Sequence, residues 1–336
     1  MCARICTVRD VCVIGLGLIG GSVLRASVAA GRTCWGVSDS RSDVDAAVAD
    51  GYDATADLAS ALDRAAADDA LVVLAVPLTA VDDVLRAVAS HAPNCLLTDV
   101  TSVKAPVRDA VARLAPRTRY AGGHPMAGTA ESGWKAATAT LFDGATWVVC
   151  AEEAVGDDEP GTDLTAWREA AALAFDAGAR VVALPALAHD GTVARTSHLP
   201  HLLAAVLANV AGSGGPLAAA LAAGSLRDGT RVAGTRPELV RAMTEGNRGA
   251  LLPVLDEALG LLGAARGSLA STGGLAAMID AGHEAHATLE RQQGAPRTPI
   301  TLDLRAPDAL EGLLSLGERG GWFTALDGDV LTGEVA

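Results

Sequence analysis

His124 stands in Gly123-His124-Pro125-Met126-Ala127-Gly128, between a glycine and a proline that narrow its backbone choices. An imidazole fixed in that way suits proton abstraction, because its unperturbed pKa lies near neutrality. The bland alternative is a polar turn residue. Upstream lies Thr98-Asp99-Val100-Thr101-Ser102-Val103-Lys104, at the end of a strand-like run leading into a helical pattern. Ser102 reads there either as a helix N-cap or as a hydroxyl facing a ligand crevice outside the carboxyl ends of the strands. Downstream, His189-Asp190 and Ser197-His198-Leu199-Pro200-His201 bring three of the seven histidines within 13 residues. His198 and His201 have the i, i+3 spacing of one helix face, although Pro200 distorts that turn. No cysteine or glutamate cluster accompanies them, so a metal is not expected. Arg227 and Arg231, in Leu226-Arg227-Asp228-Gly229-Thr230-Arg231, suit bidentate binding of a carboxylate if they are not solvated surface arginines.

A second constellation is glycine-rich. Residues 11–24 read as an apolar strand, then Gly15-x-Gly17-x-x-Gly20, then a helix. Gly15 suits a tight turn, Gly17 the approach of backbone to a pyrophosphate, and Gly20 close packing of helix on strand. The helix start, at Leu18 and Ile19, supplies backbone N–H groups and the positive end of the helix dipole to hold the anion. Asp39 lies 19 residues past Gly20, at the end of the second strand. Its carboxylate accepts hydrogen bonds from a ribose diol and repels a 2′-phosphate, so NAD is expected over NADP. Arg41 works against that preference, because a guanidinium accommodates the phosphate. Val76 and Pro77, closing the run 71–76, are expected along the cofactor, with Thr101 beside it.

These residues need elements to carry them. From residue 11 to about 184, short apolar runs alternate with helical patterns. The strands are expected at 11–15, 33–38, 71–76, 95–99, 119–122, 145–150 and 180–184, and the helices at 18–30, 42–50, 79–90, 103–114 and 163–177. That alternation predicts a parallel sheet covered on both faces. The acidic stretch 152–162 reads as a surface loop. After Pro185 no β-branched run of strand length recurs for about 110 residues, and Ala/Leu helices broken at Gly and Pro take over. Residues 299–336 return to strand-like pieces around a short helix and are too few for an independent domain of usual size. The expected fold is α/β, a Rossmann-like doubly wound sheet followed by an all-α domain. The expected parts are an N-terminal tail (1–10), a dinucleotide-binding domain (11–185), a helical domain (186–295) and a C-terminal arm (296–336).

Composition narrows the partners. The net charge of −14 argues against nucleic acid and anionic membrane, both of which need clustered Lys and Arg. It leaves room for a small anionic substrate gripped by a few arginines. Only two lysines occur, Lys104 and Lys135. Cys12, Cys34, Cys95 and Cys150 fall in or beside apolar runs and none pairs as CxxC, so free core thiols in a reducing compartment are expected. Cys2 and Cys6 are expected on a loose tail whose charges do not suit a signal peptide. No stretch of 18 apolar residues spans a membrane. A cytoplasmic protein is the expectation.

In this order, GLGLIGGS, LAVP, TDVTSVK, GGHPMAG, HD followed by SHLPH, and RDGTR resemble the prephenate/arogenate dehydrogenase family (the TyrA type) over roughly residues 11–290. The resemblance implies a helical C-terminal domain that forms a homodimer. It also implies NAD(P)-dependent oxidative decarboxylation of a cyclohexadienol, prephenate or arogenate. By that likeness His124 accepts the proton of the ring hydroxyl and Ser102 hydrogen-bonds both that histidine and the hydroxyl. Arg231 binds a substrate carboxylate, His189 and His201 line the substrate pocket, and Thr129 lies in a loop that contacts substrate. Prephenate as substrate, with 4-hydroxyphenylpyruvate as product in tyrosine biosynthesis, is the first expectation.

The likeness has gaps. Some members carry an acidic residue where this chain has Ala130 followed by Glu131, and others an aromatic where it has Val240. Both differences weaken any transfer of substrate preference or tyrosine feedback. No chorismate mutase segment is expected ahead of the glycine-rich loop. Two rivals remain: a β-hydroxyacid dehydrogenase or imine reductase, and a non-catalytic NAD-responsive protein. The first typically needs a catalytic lysine or aspartate in the helical half, which here contains no lysine. The second leaves the placed His, Ser and Arg residues without a purpose.

Overall fold

The computed structural model describes residues 9–129, 131–154 and 161–336. The expectations for Cys2, Cys6, most of the tail, Ala130 and the centre of the 152–162 loop lie outside them. The described residues divide into two compact units, one running to His189 and joined by Thr298–Val335, the other covering Asp190–Arg297.

The first unit holds two sheets. Strands β1 (Val11–Ile14), β2 (Cys34–Val37), β3 (Ala54–Thr55), β4 (Leu71–Leu74), β5 (Leu96–Asp99) and β6 (Arg119–Ala121) form a parallel sheet in the order β3-β2-β1-β4-β5-β6. That is the dinucleotide-binding order, with its topological switch between β1 and β4. Along β1, Val11 and Val13 face one apolar core while Cys12 and Ile14 face another. Both faces are dry, which is why these strands read as unbroken apolar runs.

The helices are α1 (Leu18–Ala29), α2 (Arg41–Ala49), α3 (Leu58–Ala67), α4 (Val81–His91), α5 (Ala105–Leu114), α6 (Leu164–Asp176), α7 (Ala186–Val193), α8 (Leu199–Gly212), α9 (Gly215–Leu221), α10 (Gly224–Thr230), α11 (Pro237–Gly246), α12 (Arg248–Ser271), α13 (Ala276–Gln293) and α14 (Ala309–Glu318). Helices α3, α4 and α5 cover one face of the parallel sheet through Leu62, Leu85, Val88 and Val107, and α1 and α6 pack into the core on the other.

The second sheet departs from expectation. Strands β7 (Gly123–Pro125), β8 (Thr146–Cys150), β9 (Arg180–Leu184), β10 (Thr298–Asp303), β11 (Trp322–Asp327) and β12 (Val330–Val335) assemble in the order β10-β12-β11-β9-β8-β7. The runs 145–150 and 180–184 therefore belong to this mixed sheet, where β8 and β9 pair in parallel and β7 runs antiparallel to β8. The histidine segment is an edge strand and not a turn. Pro125, with no N–H to give, fits that edge. Residues 298–335 are likewise no separate arm. Leu313, Leu314, Leu316, Phe323 and Leu331 are buried in one core with Val181 and Ala183. Helix α14 lies so close on β9 that a Cβ at Gly317 would run into the Ala183 carbonyl.

The second unit is helical, α8 to α13, with a small buried cluster of Ala194, Leu251 and Val254. Leu252, Leu259, Leu262, Leu269 and Ile279 stay exposed on its long helices α12 and α13. Among the described residues no single helix is long and apolar enough to cross a membrane.

Candidate active site

The glycine-rich turn joins β1 to α1. Gly15 has φ +102°, a left-handed conformation, and a Cβ there would collide with the Ala75 carbonyl oxygen. A Cβ at Gly20 would strike the Gly15 carbonyl, so α1 can lie this close to β1 only without one. In front of Gly17, the N-cap of α1, there is open space, and no side chain caps the helix. Uncapped N–H groups of a 12-residue helix facing that space make an anion cradle, which fits the pyrophosphate of a dinucleotide. Leu18 and Ile19 form the first residues of that helix. Asp39 is exposed just past the end of β2, and Arg41, also exposed, opens α2. Val76 and Pro77 follow the end of β4, half-buried and exposed.

Ser102 does not cap a helix. Helix α5 starts at Ala105, with Lys104 at its N-cap position and a proline in the first turn. Ser102 sits half-buried in the crossover from β5 to α5. Thr101 is bound into the turn: its N–H and hydroxyl donate to Asp99 Oδ1 at 2.8 and 2.6 Å.

His124 is half-buried on β7, opposite Val148 of β8. His189 is buried in α7, which begins where β9 ends; the Glu152 carboxylate accepts the Ala186 N–H at the helix start, at 2.7 Å. The two rings meet edge to face, His124 Nδ1 lying 2.8 Å from His189 Nε2. His189 thus directly engages the candidate base, a closer relation than lining a pocket.

The remaining predicted residues belong to the helical unit. His198 ends a π-helical turn, Ala194–His198, and is buried. Asn247 Nδ2 donates to His198 Nδ1 at 3.1 Å and to the Asp190 carbonyl at 2.8 Å. His201 follows on α8, half-buried. Burial lowers its pKa and the neighbouring Arg231 lowers it further, against a backbone hydrogen bond at Val232. Arg231 is exposed at the start of a 3₁₀ turn, Arg231–Gly234, and Arg227 is exposed in α10. Thr129 and Glu131 are exposed and Val240 is half-buried. Among the described residues no three His, Cys, Asp or Glu side chains gather as a metal site needs. The thiols of Cys12, Cys34 and Cys95 are pushed up to about 12, chiefly by burial, and are unreactive core groups.

Sequence reasoning missed the residues beneath the site. Asp99 and Lys104 form a fully buried ion pair, and Tyr120 donates its hydroxyl to Asp99 Oδ2 at 2.6 Å. Burial and the Asp99 charge hold the Tyr120 phenol well above its ordinary pKa, so it stays a neutral donor. Asn247 was missed as well. A signal for Lys104 lies in the sequence: it is one of two lysines, set between Val103 and Ala105, in the segment that carries Ser102.

Two family models match the chain, described as "Prephenate dehydrogenase, nucleotide-binding domain" over residues 21–172 and "Prephenate dehydrogenase, dimerization domain" over 185–271. The cyclohexadienyl dehydrogenase of Zymomonas mobilis is 32% identical over 79% of this chain and 90% of its own length. The prephenate dehydrogenase of Bacillus subtilis is 31% identical over 72% of this chain, which spans 65% of that relative. A crystal structure from Corynebacterium glutamicum, provisionally described as a prephenate dehydrogenase, superposes with a TM-score of 0.85. It is 45% identical and the match covers 93% of this chain and 97% of that one.

Proposed function

The chain belongs to the prephenate dehydrogenase family, and on that premise we propose that it catalyses NAD-dependent oxidative decarboxylation of prephenate to 4-hydroxyphenylpyruvate in tyrosine biosynthesis. The observation that carries this reading is the His124–His189 pair, a half-buried imidazole held through Nδ1 in the unit that also bears the dinucleotide turn. When bound, NAD supplies the hydride acceptor. The protein then needs a base for the ring hydroxyl and fixation of the substrate's carboxylates, because loss of CO2 with aromatisation drives the reaction.

The base role, taken with this contact, fixes the tautomers. To accept a proton at Nε2, His124 carries its own hydrogen on Nδ1 and donates it to His189 Nε2, so His189 is protonated on Nδ1. The bond strengthens as His124 becomes cationic, since a charged donor binds its acceptor more tightly. Ser102 is assigned the hydrogen bond to the hydroxyl. Arg231 is assigned a substrate carboxylate, and His201, its pKa lowered by burial, and Thr129 are each assigned a substrate contact. Gly15, Gly17, Leu18, Ile19 and Gly20 hold the pyrophosphate. Asp39 takes the ribose, and Arg41, Val76, Pro77 and Thr101 border the nucleotide. The exposed apolar side chains of α12 and α13 support a homodimer through the helical domain.

Nicotinamide reduction by the purified protein, with prephenate and arogenate offered separately, tests the reading; the ratio of kcat/KM values identifies the substrate. His124→Asn should keep NAD binding and lose turnover by about 10²-fold or more. A kcat near the parent value removes His124 from the base role.

A further inference from the structure

The Asp99–Lys104 ion pair takes no part in the chemistry assigned above, yet it grips both segments that carry it. We infer that Lys104 is a positioning residue, whose ammonium, backed by Asp99, ties the Ser102 turn to the His124 peptide; this inference rests on the base role of His124.

Every donor of the Lys104 ammonium is engaged. It donates to Asp99 Oδ1, to the Thr101 hydroxyl oxygen at 3.0 Å and to the Gly123 carbonyl at 2.5 Å. That carbonyl belongs to the peptide joining Gly123 to His124. The Gly123 N–H is held from the other side by Asp99 Oδ2, at 3.4 Å. Opposite ends of one ion pair therefore clasp both polar groups of the residue before the base. Gly123 has no lateral freedom, since a Cβ there would run into the Asp99 carbonyl and lie 3.1 Å from Trp147 Nε1. The same Asp99 Oδ1 fixes the N–H and hydroxyl of Thr101, next to Ser102.

Burial makes the arrangement informative. A fully buried ion pair is costly to desolvate and is often no more stabilising than apolar side chains of its size. Here it joins the crossover after β5 to edge strand β7, whose backbone pairs with β8 alone. Without the pair, the β7–β8 ladder and the His189 contact would still hold His124, but the tie between its peptide and the Ser102 turn would be lost. Misplacement of a reacting group by about 1 Å can cost about 10²-fold in rate.

The test is the double variant Asp99→Asn/Lys104→Met, which removes both charges and leaves neither one buried alone. It is expected to fold, with a lower Tm, and to bind NAD within about threefold of the parent, while kcat falls about tenfold or more and KM for prephenate stays nearly unchanged. Placed in a His124→Asn background the same change costs no further kcat, because it acts through His124. In the cofactor-free protein the His124 ring resonances, identified by their loss in His124→Asn, shift, while those of surface His91 stay. A folded double variant with parent kcat overturns the inference, as do losses that multiply in the His124→Asn background. If the double variant does not fold, Tyr120→Phe loosens Asp99 by one hydroxyl. A fall in kcat of about threefold, absent in the His124→Asn background, then supports the inference, and parent kcat overturns it. The two readings fail separately. His124→Asn at parent kcat removes the base role and this inference together, whereas an inactive His124→Asn beside a fully active double variant removes the inference alone.

Discussion

Replacing His189 by leucine tests the tautomer argument where it is most exposed. Leucine has similar bulk and no polar atom, so the site stays filled while His124 Nδ1 loses the nitrogen 2.8 Å away. A hydrogen bond between neutral groups is worth about 0.5–1.5 kcal/mol, and one to a charged group about 1.5–3 kcal/mol. Only the difference between the two, about 1–1.5 kcal/mol, is felt in the transition state, where His124 turns cationic. That alone lowers kcat by about tenfold. Loss of ring orientation adds to it, because an imidazole held by one bond fewer samples unproductive rotamers, and a total of ten- to a hundredfold is expected. The direction with pH is also fixed. His189 stabilises the cationic form of His124, so its loss makes that form harder to reach and moves the acid limb of kcat/KM to lower pH. Steady-state kinetics across the pH range, with NAD affinity and Tm as controls, measure both effects. Parent kcat together with an unmoved acid limb would refute the argument: His189 would not be the acceptor, and the reactive nitrogen would have to be reassigned.

Two further outcomes follow from the same geometry. Asp39→Ala, at the exposed end of β2, should lower kcat/KM for NAD by about tenfold or more and raise it for NADP, with Arg41 then facing the 2′-phosphate. An unchanged ratio for the two cofactors contradicts the ribose role. Asp163 accepts the N–H groups of Thr165 and Ala166 at the start of α6 and pairs with Arg119 of β6 at 2.7 Å. Asp163→Ala should cost about 1–2 kcal/mol in denaturant titrations, most of it from the cap, because the pair is partly solvated. The Arg119 hydrogen bond is the main cause of the lowered Asp163 pKa, so this stabilisation is complete above the ordinary carboxylate value of 3.8 and is lost as pH falls through the lowered one. Parent and variant stabilities should converge on acidification, and a gap that persists there is the contrary result.

Local chemistry was legible in the sequence and pairing was not. The turn at Gly15 reads directly, since its conformation and its crowding against Ala75 both exclude a side chain. The strands of the parallel sheet read as apolar runs because both their faces are buried. Nothing in the runs 145–150 and 180–184 says which sheet they join, because partners are set by tertiary packing and a buried strand has no polar face to mark its side. The final strands show the same limit. Their apolar residues are legible, but their partner β9 lies more than a hundred residues earlier, and proximity in sequence suggested an arm instead. The start of α5 is readable in the sequence as well. Pro106 belongs in a first helical turn, which moves the boundary past Ser102 and releases that hydroxyl from capping.

The site divides in the same way. Types and spacings identified His124, Ser102, His189, His201 and Arg231 as residues able to do chemistry, since proton transfer and carboxylate binding demand those groups. What the sequence does not contain is which nitrogen of His124 reacts. That depends on a partner 65 residues away, carried by a helix at the end of a different strand. The placement of the ring depends equally on a lysine whose local neighbours are apolar and whose acceptors Asp99, Thr101 and Gly123 come from two separate segments. An imidazole is a base, an acid or a spectator according to its hydrogen-bond partner. Its identity is therefore written in the chain, while its role is decided where the two sheets bring Asp99, Lys104, Gly123 and His189 to bear on it.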